Sequence, residues 1–190
     1  MNLPNKLTIL RILMIPIFVA LFYVSVIPFH YILCAVVFAL AAFTDFLDGY
    51  IARKNNLVTD FGKFLDPIAD KILVSTALII MLVPCFGDAI LPWYASICVA
   101  VILARELMVS GFRLIAAGKG KVIAADRSGK IKTFLTDIAI LVLLVSADLT
   151  GMPFTIVNSL GQVLFYASTL LTIYSGIECL VKNKGVISTK

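Results

Sequence analysis

Apolar residues gather into six runs along the chain, at positions 12–27, 31–43, 72–86, 90–104, 134–147 and 154–180, and short segments carrying Pro, Gly, Asp or basic residues separate them. Each run is predicted to be a helix. A helix needs roughly 20 apolar residues to cross about 30 Å of hydrocarbon, so several runs are too short by themselves, and each falls short where charged residues interrupt it. These ends are expected to be helical still, but polar and hydrated. The pattern predicts an all-α, polytopic membrane protein with six transmembrane helices, forming a single domain over 1–190.

Composition strengthens that expectation. Hydrophobic residues make up 61% of the chain and charged residues 14%, with a mean hydropathy of +1.05. A soluble domain of this size could not hide so much apolar surface in one core. The first eleven residues lead into an apolar run without a small-residue cleavage site, so that run is expected to be retained. Cys34, Cys85, Cys98 and Cys179 stand singly within apolar runs, which supports neither a zinc site nor a disulfide framework.

Charge then orients the helices. All 16 Lys and Arg fall in alternate connections or at the termini, whereas the stretches 28–30, 87–92 and 148–153 contain none. The positive-inside rule therefore places both termini and both basic loops in the cytoplasm. The net charge of +5 reports orientation and attraction to anionic lipid, and gives no reason to expect a nucleic-acid partner.

Ionisable residues at membrane depth cost at least about 2.5 kcal/mol each against lipid, so they are expected to share a hydrated interior with partners. Arg11, Asp45, Asp48, Asp66, Asp70, Arg105, Glu106, Lys130, Lys132 and Asp137 all belong to the cytoplasmic layer. Lys63, Lys71 and Lys119 are long enough to reach water independently.

Within 45–70 the spacing is specific. Asp45 and Asp48 end the second run, Asp66 and Asp70 open the third, and each pair lies on one helical face at i,i+3 or i,i+4. A turn containing Asn55, Asn56 and Gly62 lets the helices run antiparallel and brings four carboxylates together. Such a cluster needs counter-ions, and hard divalent cations with oxygen ligands, Mg²⁺ or Mn²⁺, suit it, with room for two. Gly49 allows a ligand close to the backbone, and Arg53 one turn on can pair with phosphate.

Asp45, Asp48, Gly49, Ala52, Arg53, Gly62, Asp66 and Asp70 spell D-x2-D-G-x2-A-R-x8-G-x3-D-x3-D. This pattern resembles the signature of the CDP-alcohol phosphatidyltransferases. The resemblance implies a six-helix membrane fold, usually a homodimer, whose cytoplasmic site passes a phosphatidyl group from a CDP-linked lipid to an alcohol and releases CMP. It implies Asp45, Asp48 and Asp66 as metal ligands, Asp70 as the base and a further ligand, and Gly49, Ala52, Arg53, Thr59 and Gly62 as the lining of the cytidine diphosphate site. Metal ions would neutralise the pyrophosphate while the carboxylate takes the hydroxyl proton.

The acceptor must be read from other segments. In 105–113, Glu106, Ser110 and Arg113 share one face beside Arg105, and 128–133 reads SGKIKT. Arg105, Arg113, Lys130 and Lys132 give a surplus of positive charge suited to a second phosphate, that of a phosphorylated acceptor. These segments, with 2–11, resemble bacterial phosphatidylglycerophosphate synthases, which join CDP-diacylglycerol to sn-glycerol-3-phosphate. Asn5, Thr8 and Arg11 fall at helical spacing on the face turned to the cavity, with Arg11 expected near a phosphate. Phosphatidylglycerol, inositol phosphate and serine remain alternative acceptors. A metal-ion transporter would need polar residues through the outer halves of the helices, which are nearly devoid of them.

Overall fold

The structure, a computed structural model, describes residues 3–24, 26–54, 60–84, 89–118 and 127–183; the side chains of 3–5, 46–54, 60–64, 66, 67, 117 and 127 fall outside that description. Six helices follow one another, α1 (Leu3–Phe22), α2 (His30–Lys54), α3 (Asp60–Ile80), α4 (Ala95–Gly118), α5 (Arg127–Ala147) and α6 (Gly151–Lys182). Among the described residues there is no strand.

The six apolar runs correspond one to one with these helices, but the helices overrun them toward the basic end. Thus α2 continues past its apolar run to Lys54, α4 continues to Gly118, and α5 begins at Arg127. A helix satisfies its own backbone polar groups, so it can carry charged side chains into a hydrated end without breaking. Two details depart from expectation. Gly62 lies within the first turn of α3 rather than in the connecting turn, and 89–94 is irregular, with the Leu91 N–H donating to the Met81 carbonyl at 2.9 Å before α4 begins.

Packing sets the arrangement. α5 lies against α6 in the most extensive interface, α1 against α2 in the next, α2 also meets α5, and α4 also meets α6; α3 leans on α1 and touches α2, α4 and α5 more briefly. The core is aliphatic and aromatic, centred on Phe18, Phe38, Leu78, Met81, Ile140 and Phe165. α6 meets its neighbours through small and hydroxylated residues, Gly161, Ser168, Thr169, Thr172, Ser175 and Gly176. Small residues let helix axes approach closely where lipid offers no hydrophobic drive for association. The hydroxyls bond back to their own helix, as Thr172 to the Ser168 carbonyl at 2.7 Å, so none is stranded in the interior.

The exterior carries large apolar side chains in the open, among them Leu13, Ile17, Ile97, Val163 and Leu170. Such a surface suits hydrocarbon as solvent. Two described helices, over Ala95–Ala116 and Gly151–Lys182, are long and apolar enough to cross a membrane by themselves. Cys34, Cys98 and Cys179 are free thiols, as their isolation implied, and Cys85 lies outside the described residues.

Candidate active site

At the basic end of the bundle, Asp70, Lys71 and Ser75 of α3, Glu106 of α4, and Lys132 and Thr133 of α5 line a small cleft. Three helices thus contribute through residues that interrupted their apolar runs. Helical periodicity explains the grouping on α3, since Lys71, Val74 and Ser75 follow one another at i, i+3 and i+4.

Glu106 is the hub of this cleft. It accepts from Lys132 on α5 and from its neighbour Arg105, whose Nη1 lies 3.0 Å from Oε1. Arg105 then reaches across to α6, donating from Nη2 to Ser175 Oγ at 3.0 Å. Gly176 makes room for it, because a Cβ there would stand 3.1 Å from Arg105 Cγ. Ser128 Oγ donates to Glu178 Oε2 at 2.6 Å, joining the start of α5 to α6. These contacts fix α4, α5 and α6 to one another at the charged end.

Across the cleft, Arg11 of α1 pairs with Asp45 of α2, Nη1 to Oδ1 at 2.6 Å; the arginine is 0% exposed and the aspartate 42%. A buried guanidinium beside a half-exposed carboxylate holds the latter in place while leaving an oxygen edge accessible. The Asp70 carboxylate is within electrostatic range of Asp45, Arg11, Glu106 and Lys132. Thr8, one helical turn before Arg11, is buried.

Several expected site residues therefore converge, namely Asp45, Asp70, Glu106, Lys132 and Arg11. Arg113 is half-buried, and its charge reaches Lys71. Arg105 turns toward α6, and Lys130 is exposed. The side chains of Asn5, Asp48, Gly49, Ala52, Arg53, Gly62 and Asp66, and the whole of Thr59, lie outside the described residues.

Lys71 corrects the sequence reading. Rather than reaching water on its own, it lines the cleft and donates to Ser110 Oγ on α4, which in turn donates to the Glu106 carbonyl at 2.6 Å. Its adjacency to Asp70 was the available signal. Asp137, a member of the cytoplasmic layer, has its carboxylate in electrostatic range of Asp70, Lys132, Asp45 and Glu106.

The sequence has similar counterparts in bacteria. A chain from Bacillus subtilis (strain 168) is 42% identical over 200 aligned positions, covering 99% of this chain and 98% of its own length. One from Rickettsia typhi is 40% identical over 182 positions, covering 92% and 93%. Another, from Salmonella typhimurium (strain LT2), is 34% identical over 188 positions, covering 97% and 96%. All three carry the name CDP-diacylglycerol–glycerol-3-phosphate 3-phosphatidyltransferase. The family model for CDP-alcohol phosphatidyltransferase matches residues 1–174, which include the 45–70 signature and every cleft residue named above, and the chain belongs to that family of membrane enzymes.

Proposed function

We propose that this protein transfers the phosphatidyl group of CDP-diacylglycerol to sn-glycerol-3-phosphate, forming phosphatidylglycerophosphate and CMP for phospholipid biosynthesis. Similarity to enzymes of that name over nearly the full length of both chains carries the reading. The cleft is consistent with it, since Lys71, Lys132 and Arg113 bring cations to the neighbourhood of Asp70, as a phosphorylated acceptor requires.

The reaction joins an acceptor oxygen to the β-phosphorus and breaks the bond to CMP. Asp70, as general base, takes the proton of the primary hydroxyl. Positioning and charge neutralisation then do most of the remaining work, because no covalent intermediate is needed. The hard oxygen donors of Asp45 and Asp70 fit a divalent cation, and with Asp48 and Asp66 they would hold Mg²⁺ or Mn²⁺, in two positions. When bound, such ions supply neutralisation of the pyrophosphate and of the departing CMP. Arg11 keeps Asp45 in place for that purpose. Gly49, Ala52, Arg53, Thr59 and Gly62 are assigned by resemblance to the nucleotide, and Arg105, Arg113, Lys130 and Lys132 to the acceptor phosphate, either directly or, for Arg105, by holding Glu106.

All six helices cross the membrane in this reading, with the charged end and both termini cytoplasmic. The distribution of Lys and Arg supports it, as do the exposed aromatic residues Tyr23, Trp93 and Tyr94 at the opposite end, where an interfacial belt belongs. The resemblance extends the assembly to a homodimer. The deciding experiment is a transfer assay with labelled CDP-diacylglycerol and separate acceptors: glycerol-3-phosphate, phosphatidylglycerol, inositol phosphate and serine. Phosphatidylglycerophosphate is the expected product, and efficient transfer to another acceptor with none to glycerol-3-phosphate overturns the assignment.

A further inference from the structure

Most donors around the cleft already have an acceptor. Lys132 donates to Glu106, Lys71 to Ser110, and Ser110 to the Glu106 carbonyl. The two threonines of α5 bond back to their own helix, Thr133 to the Gly129 carbonyl at 3.1 Å and Thr136 to the Lys132 carbonyl at 2.9 Å. Asp137 is left over. It stands one turn beyond Thr133 on the same face of α5, and its Oδ1 is shielded from solvent with no hydrogen-bond partner among the described residues. A buried carboxylate oxygen without a donor is costly, and native structures keep one where a ligand completes it.

The charges around it identify the missing donor by chemistry. The electrostatic neighbours of Asp137 are Asp70, Lys132, Asp45 and Glu106, a surplus of carboxylates that disfavours an anionic group there and admits a neutral hydroxyl donor. Glycerol-3-phosphate has an anionic end and two hydroxyls. With its phosphate toward the cations and its primary hydroxyl at Asp70, the secondary hydroxyl is the donor still without an acceptor.

We propose that Asp137 accepts a hydrogen bond from the secondary hydroxyl of the acceptor and so selects a glycerol phosphate over a phosphorylated alcohol lacking that group. This deepens the proposed function and rests on it. A site built to bond a hydroxyl discriminates against the analogue without it, because the buried acceptor is then left unpaired.

The test compares kcat/KM for glycerol-3-phosphate and 3-hydroxypropyl phosphate, which retains the phosphate and the primary hydroxyl but lacks the secondary one. The wild-type protein is expected to prefer glycerol-3-phosphate by about 10- to 100-fold. In Asp137→Ala that preference collapses to within about threefold, in Asp137→Asn it falls partway, and KM for CDP-diacylglycerol changes little in both. The ratio does not depend on how much of a preparation is folded, so a poorly folding variant still reports. A preference that survives in Asp137→Ala, or is absent from the wild type, overturns the inference. So does an unchanged preference with a weakened Mn²⁺ requirement, which makes Asp137 a metal ligand. Failure of the wild type to use glycerol-3-phosphate at all is a separate result and defeats the proposed function instead.

Discussion

Removing the two partners of the Glu106–Lys132 pair is expected to have unequal effects, and the inequality follows from their burial. Lys132 is 4% exposed and Glu106 24%, and Glu106 has a second cation, Arg105, at 3.0 Å. Lys132→Met therefore leaves the carboxylate with a partner and costs about 1–2 kcal/mol. Glu106→Gln strands an ammonium that is almost fully buried and weakens the hold on Arg105, so it costs more, about 2–4 kcal/mol. Gross attraction for charges about 4 Å apart near a protein surface is about 4 kcal/mol, and desolvation of the buried ammonium offsets most of it. The double variant is expected to be more stable than the sum of the single losses predicts, with a coupling of about 1–2 kcal/mol. Reversible unfolding in mixed micelles, read by protection of the buried thiols Cys34 and Cys179, measures all three variants. Losses that add to within about 0.5 kcal/mol, or a larger loss for Lys132→Met, refute the reasoning.

Asp70→Asn is expected to lower kcat by about 10²- to 10⁴-fold with a modest change in KM for CDP-diacylglycerol, since it keeps the shape and removes the proton acceptor; near-normal turnover removes Asp70 as the base. Chelation with EDTA is expected to abolish transfer, and Mg²⁺ or Mn²⁺ to restore it better than Ca²⁺, whose longer bonds and higher coordination number suit the cluster less; full turnover in chelator contradicts the metal assignment. Gly161→Ala is expected to lower stability by about 1–3 kcal/mol, because its Cβ would lie 2.7 Å from Leu143 Cγ and 3.3 Å from the Leu143 backbone nitrogen, in the largest helix interface. Gly111→Ala, with nothing within 4 Å, is its control and is expected to lose no stability.

Hydrophobic patterning determined the number and order of helices, because a segment that must bury its backbone in an apolar medium has few alternatives to helix. Spacing places Asp45 with Asp48, and Asp66 with Asp70, on one helical face each, since residues three or four apart on a helix share a face whatever surrounds them. Helix ends were less legible. A charged residue ends an apolar run without ending a helix, so the pattern around Gly62 reads as a turn although the residue lies inside α3.

Partners were decided by tertiary structure alone. Adjacency to Asp70 brings Lys71 near the carboxylates, but its partner Ser110 is supplied only by the approach of α4. Likewise, Arg11 meets Asp45 only because α1 packs on α2, and Arg105 turns to Ser175 only because Gly176 leaves space on α6. Local periodicity fixes the face on which a side chain stands. Which oppositely charged group faces it depends on the order of helices around the bundle, and that order is set by the packing of small and large residues contributed by distant parts of the chain.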